Sequence, residues 1–179
     1  MKLEPTPIPD CLLIHTFQES DERGLFVKLY NSGIYAENLS DFHIKEIYYS
    51  LSKPKVFRGF HFQLPPHDHA KIVFCNFGAV IDYVVDLRTS SQVYGVPFAF
   101  KLNDENRRAI LIPKGCAHGF YVIDRESMLT YVVETEYSPN HDSGILWSSV
   151  NYDFEFKNPI LSDRDKNFIA LKNFDSPFK

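Results

Sequence analysis

Between Lys71 and Tyr137 the chain never runs far without a turn signal, and what lies between the signals is β-branched and aromatic. Lys71–Phe77 and Ala79–Arg88 flank Gly78; Tyr94–Leu102, Arg107–Pro113, Gly119–Ile123 and Ser127–Tyr137 follow at a spacing of about ten residues. Short strands at that spacing have no long helices to cover them, so they must bury one another in a sandwich or barrel. The earlier chain fits the same reading. Residues 11–17 predict a strand, Asp21–Gly24 a polar turn and Leu25–Tyr30 the second strand of a hairpin. Asn31–Asp41 has helix-compatible spacing, and His43–Ser50 returns to β pattern before a turn at Ser52–Lys55. The 16 Phe and 10 Tyr of the 179 residues suit strands better than helices. Only the tail departs: Ser162 with Asp165 three residues on predicts an N-cap and a short helix through about Ala170. The expectation is an all-β single domain over 1–179, with N-terminal arm strands in 1–50, a barrel in 51–150 and a helical tail in 151–179.

Charge narrows the partners. A net charge of -4 without a Lys/Arg block argues against nucleic acid or an anionic membrane as the main partner, although a few arginines in a cleft suffice for a small anion. Cys11, Cys75 and Cys116 are odd in number and widely spaced, which predicts buried thiols in a reducing cytoplasm. Pro5, Pro7 and Pro9 precede a Cys11–Ile14 run too short for a signal peptide or membrane span.

The first candidate for chemistry is His61, in Arg58-Gly59-Phe60-His61-Phe62-Gln63. Alternation places Phe57, Gly59, His61 and Gln63 on one face and Arg58, Phe60 and Phe62 on the other. On its own, a strand histidine is as often a core residue satisfied by a carbonyl as a functional group. In the strand Ala79–Arg88, Asp82 and Asp86 share a face with Val80 and Val84. A carboxylate there needs a partner or water, so Asp82 is expected to support another polar group.

Pro113-x-Gly115-x-x-His118 matches the second motif of the cupin superfamily, small β-barrels with an internal site. Many cupins bind a metal through an earlier His-x-His, and His67-Asp68-His69 offers the pair. The positions where a carboxylate ligand should follow are Ile72, Val73 and Phe74, and Lys71 would set an ammonium beside the ion. No metal site is expected, and His67 and His69 are expected to be a solvated loop pair.

Several separated motifs occur in order: Arg23-Gly24-x-Phe26, the Arg58–Gln63 strand, Lys71, Val84-Val-Asp86-Leu-Arg88-x-Ser90, Ile112-Pro-x-Gly-x-Ala117-His118-Gly-Phe120, Tyr131, Tyr137-Ser-Pro139 and Leu161-Ser-Asp-Arg-Asp165. Together they resemble the dTDP-4-dehydrorhamnose 3,5-epimerases and related nucleotide-sugar epimerases, over about residues 10–170. The resemblance implies a cupin-type β-sandwich or jelly-roll barrel, a homodimer with exchanged arm strands, and a cofactor-free isomerase in deoxysugar synthesis for surface polysaccharide. Its substrate would be a nucleoside-diphosphate 4-keto-6-deoxyhexose, epimerised at C3, C5 or both by deprotonation and reprotonation from opposite faces. That chemistry needs a base, an orienting group, a stabiliser for the enolate oxygen and an acid opposite the base. By resemblance these are His61, Asp165, Lys71 and Tyr131, with Asp165 favouring the protonated form of His61. Arg23, Arg58, Gln63, His118 and Tyr137 would bind sugar and diphosphate, the arginines as bidentate phosphate forks.

The chain departs from that family at one place. Lys28 replaces a usual Glu, Glu46-Ile47-Tyr48 a usual Gln-x-Asn, and Glu136 an aromatic before Tyr-Ser-Pro. With the catalytic set intact and Lys28, Glu46, Tyr48 and Glu136 rewritten around the nucleotide, the expectation is a nucleotide other than dTDP. A glutamate accepts from the amino groups of guanine or cytosine, which thymine lacks. Two other classes stay open from sequence: a catalytically silent cupin that binds nucleotide sugars, and a metal-dependent cupin enzyme.

Overall fold

The computed structural model describes residues 1–33 and 42–179. Two antiparallel sheets carry the fold. The first runs β1 (Lys2–Pro5), β2 (Leu12–His15), β10 (Arg108–Ile112), β7 (Lys71–Phe77), β12 (Ser127–Val133), β5 (Glu46–Ser52). The second runs β13 (Asp142–Gly144), β6 (Phe57–Gln63), β11 (Cys116–Val122), β8 (Ala79–Asp86), β9 (Pro97–Asn103). Among the described residues a separate hairpin, β3 (Phe17–Asp21) and β4 (Gly24–Lys28), pairs only with itself. The all-β sandwich expected from strand spacing is the fold observed.

The central strands read as almost continuously apolar because both of their faces are covered. Between the sheets, Val73, Ile110, Leu129 and Val133 meet Val80, Val84, Leu102, Phe120 and Val122. On the far side of the second sheet, Phe57, Phe60, Phe62, Tyr83 and Val85 are buried under Trp147, Phe154, Phe156 and Phe178 from the tail. Side chains alternate across β8, so Val80 and Val84 point inward while Tyr83 and Val85 point to the tail.

On β6 the expected alternation fails. Phe57, Phe60 and Phe62 lie in one cluster, so Phe57 does not share the face of His61 and Gln63. The reason is a bulge: His118 pairs with His61 but Phe120 pairs with Arg58, so three steps on β6 oppose two on β11. Gly59 sits in it at φ +133, where a Cβ would stand 2.5 Å from Gly119 Cα.

Other boundaries moved. Residues 11–17 divide at Thr16, whose hydroxyl donates to Arg107 O, so β2 joins the first sheet and β3 the hairpin. The tail helix, α1 (Asp163–Lys166), is one turn and ends at Asn167, short of Ala170. The short strands β1 and β13 were not expected. Most of the segment Asn31–Asp41, with its helix-compatible spacing, lies outside the described residues.

Candidate active site

One row of residues builds a wall of the site. On β5, Glu46, Tyr48, Ser50 and Ser52 alternate with Ile47, Tyr49 and Leu51. Across the ladder Val133 pairs with both Glu46 and Lys71, and Tyr131 with Tyr48, so these side chains share the inner face. Each polar member of the row has a partner there. Glu46 Oε1 accepts from Tyr137 N at 3.2 Å, Tyr48 stacks on Tyr131 at 4.8 Å, Ser50 Oγ lies 3.4 Å from the Tyr131 hydroxyl, and Ser52 Oγ accepts from Arg58 Nε at 2.8 Å. The outer row, Ile47, Tyr49 and Leu51, is exposed.

The wall opens on a cleft of about 760 Å³, whose lining includes Glu46, Tyr48, His61, Lys71, Tyr137 and Arg164. His61 stands on β6, with 31% of its side chain open to solvent. Its Nε2 lies 2.7 Å from Oδ1 of Asp165, and the other oxygen of Asp165 accepts from Gly59 N at 3.3 Å. Ser162 Oγ caps the α1 turn by accepting from Asp165 N, as its spacing predicts, while the carboxylate turns to His61. Burial holds His61 below its ordinary pKa, and outweighs the upward pull of Asp165. Asp165 favours the protonated imidazole, as expected, but desolvation of the ring is the larger effect, so resting His61 is a neutral base. Asp165 itself is pushed up by burial, yet His61 and Gly59 N–H hold it below the usual carboxylate range.

Lys71 is almost wholly buried, and burial pulls its pKa down to about 8 against the attraction of Asp82 and Asp142. Tyr131 is buried and its hydroxyl is pushed well above the ordinary value, which keeps it protonated. His118, opposite His61 in register, stands edge-on to Tyr131 at 6.0 Å between ring centres, and its Nε2 lies 2.7 Å from Oδ2 of fully buried Asp82. Asp82 thus supports another polar group, as its place on the strand suggests.

Gln63 faces the cleft but braces it: its Oε1 accepts from Ser138 N at 2.6 Å and its amide nitrogen lies within reach of His67 O and Thr135 Oγ1. His67 and His69 are not a solvated pair. The His69 ring is 2.6 Å from Thr135 Oγ1, with burial lowering its pKa to about 4, and His67 lies against His141 at 4.4 Å.

Arg23 and Lys28 stand apart from this cleft, on the hairpin. Arg23 is paired with Asp21, and Lys28 lies 5.5 Å from the Phe17 ring. Arg58 reaches toward Ser52 beside Tyr131. Glu136 offers its backbone carbonyl to Gln63, and its side chain is not among those lining the cleft. Sequence reasoning missed Arg164 and Asp142, which pair at 2.6 Å at the cleft wall, with the Tyr137 hydroxyl donating to Asp142 at 3.0 Å. The available signal was the position of Arg164 immediately before Asp165. Phe168, edge-on to His61 at 5.5 Å, was also missed.

Residues 5–173 match a family model described as dTDP-4-dehydrorhamnose 3,5-epimerase. A protein of that description from Shigella flexneri is 38% identical over 170 residues, 93% of this chain and 94% of the other. A dTDP-4-dehydrorhamnose 3-epimerase from Streptomyces niveus is 35% identical over 174 residues, 96% of this chain and 84% of the other. Among solved structures, NovW from Streptomyces spheroides, described as a 4-keto-6-deoxy sugar epimerase, superposes with a TM-score of 0.92 at 34% identity, covering 96% of this chain and 88% of that one. The sandwich is of the cupin type.

Proposed function

The chain belongs to the dTDP-4-dehydrorhamnose 3,5-epimerase family, and from that premise we propose how its cleft works. The protein is an isomerase that epimerises a nucleoside-diphosphate 4-keto-6-deoxyhexose. The C4 carbonyl makes the hydrogens on C3 and C5 acidic. His61, neutral and tied through Nε2 to Asp165, takes one of them with Nδ1; the C–H electron pair moves into an enolate whose charge rests on O4. The Asp165 carboxylate balances the imidazolium that forms. Lys71, in a desolvated wall, stabilises the O4 charge. Tyr131, kept protonated by burial, returns a proton from the opposite face, and the carbon is inverted with no net oxidation or reduction. The observation that carries this reading is the 2.7 Å His61–Asp165 pair at the cleft.

The working unit in this reading is a single domain that forms a homodimer. The hairpin bears Arg23 and Lys28 with exposed Phe17, Leu25 and Phe26, and edge strand β5 exposes Ile47, Tyr49 and Leu51. Such an edge calls for cover. A partner protomer supplies it and brings its Arg23 and Lys28 to the neighbouring cleft, where Arg58 joins them on the diphosphate. Glu46, half-buried in the cleft, and Lys28 set the nucleobase: the carboxylate accepts from an amino group that thymine lacks, so the nucleotide is cytidine or guanosine diphosphate. Three buried, unpaired cysteines accord with a cytoplasmic enzyme.

The test is solvent deuterium incorporation, read by NMR, on dTDP-, CDP- and GDP-linked 4-keto-6-deoxyhexoses, with wild type beside His61→Ala and Tyr131→Phe. Exchange at C3 or C5 that disappears in His61→Ala supports the mechanism. In Tyr131→Phe exchange should persist while inversion is lost. No exchange on any sugar overturns the reading, and turnover of the dTDP sugar equal to that of the others overturns the nucleotide assignment alone.

A further inference from the structure

His118 and His61 are Cα partners on adjacent antiparallel strands, so both imidazoles stand on one face of the sheet. Each gives its Nε2 to a carboxylate at 2.7 Å, His61 to Asp165 and His118 to Asp82. Asp82 lies at the centre of β8, fully buried between the sheets, and its Oδ1 has no hydrogen-bond partner among the described residues. A buried carboxylate with one orphaned oxygen is a costly group in an apolar core. A purely structural acceptor for His118 needs no charge and no second oxygen, since a backbone carbonyl or a hydroxyl satisfies a ring N–H equally well. What a carboxylate does in addition is fix which nitrogen carries the proton: in its ionised form, which His118 and Lys71 favour, it has no hydrogen to give, so the nitrogen facing it must be the donor. Nδ1 of His118 takes no hydrogen bond from the described residues, and the ring leans edge-on against Tyr131, which stacks on Tyr48 at the cleft wall.

We propose that Asp82 is a positioning residue for the epimerisation: it holds His118 with Nε2 protonated, so that Nδ1 is presented to the bound sugar as the acceptor for one of its hydroxyls. The role rests on the epimerase reading above. Its effect is to set the sugar ring against His61 from the opposite strand, so that a misplaced His118 slows proton removal as well as weakening binding. Asp82 touches neither the sugar nor the reacting carbons and acts only through His118.

The experiment joins a tautomer measurement to a double-mutant cycle. Long-range proton–nitrogen correlation on histidine-labelled wild-type enzyme should show His118 protonated at Nε2. Asp82→Asn, which keeps the shape and can donate or accept, should lose that single tautomer and lower kcat severalfold, by no more than His118→Asn does. Because Asp82 acts through His118, the double variant Asp82→Asn/His118→Asn should be no slower than His118→Asn alone. A wild-type His118 protonated at Nδ1 overturns the proposal even if no variant folds. Additive losses in the cycle, with normal wild-type exchange, overturn the role of Asp82 alone. Wild-type enzyme that exchanges neither the C3 nor the C5 hydrogen overturns the function and this role together.

Discussion

Two histidine–carboxylate pairs face each other across β6 and β11 with the same 2.7 Å contact, yet their carboxylates are shifted in opposite directions. Asp165 has a donor on each oxygen, His61 on one and Gly59 N–H on the other, and it is held below the usual carboxylate range despite burial. Asp82 has His118 on one oxygen and no partner among the described residues on the other; burial pushes it above that range, against the pull of His118 and Lys71. Deeper burial, with one hydrogen-bonded oxygen instead of two, pushes Asp82 up where Asp165 is held down. The first is suited to balancing an imidazolium that appears and disappears during turnover. The second is suited to holding a ring still.

The largest expected effect tests that division directly. His61→Ala should lower the deuterium exchange rate about a thousandfold, within the range general-base removal costs, and His118→Ala about tenfold. Equal losses would break the comparison. Next, Asp165→Asn should slow exchange about a hundredfold and move the acidic limb of the rate profile. Asp165 raises the His61 pKa, so its removal lets the imidazole stay neutral further into acid, and the limb shifts to lower pH. A limb that moves up would show that Asp165 acts otherwise.

The smallest effect is on stability. The folded pKa of Asp165 is depressed, so its contribution is present above the unfolded carboxylate range and lost as pH falls through the folded value. For Asp82 the folded pKa is raised, so ionisation on going to neutral pH opposes folding. At pH 7, thermal melts should therefore show Asp165→Asn destabilised more than Asp82→Asn, by about 1 kcal/mol or more. The reverse order would mean that the orphaned oxygen of Asp82 is satisfied in solution.

Much of the fold was legible because strands announce themselves by composition and turns by glycine, proline and polar clusters. The bounds of β7 follow directly from the Lys71–Phe77 run before Gly78. What failed was phase. Alternation counts residues, and the bulge at Gly59 adds one, so a residue-by-residue reading of β6 assigns Phe57 to the wrong face. The strands β1 and β13 carry no alternating apolar run; one lies among prolines and the other is Asp-Ser-Gly. At the site, His61 and Lys71 stand out on their own strands. Asp165 joins His61 from 104 residues away, and no local pattern reports a contact of that span. Only the ordered set of motifs did. The hairpin residues were legible as a motif, but their distance from the cleft of the same chain was not.

The tail that carries Asp165 has a consequence in time. Synthesis proceeds from the N-terminus, and every strand of both sheets precedes α1 in the chain. The tail is then pinned by the Ile145–Ile169 bridge and by Phe174 and Phe178 against Phe62. A nascent chain still on the ribosome therefore has its base before it has the carboxylate that orients it. A protease that trims the molecule from its C-terminal end past α1 would remove that carboxylate together with the Phe174 and Phe178 cover of the second sheet.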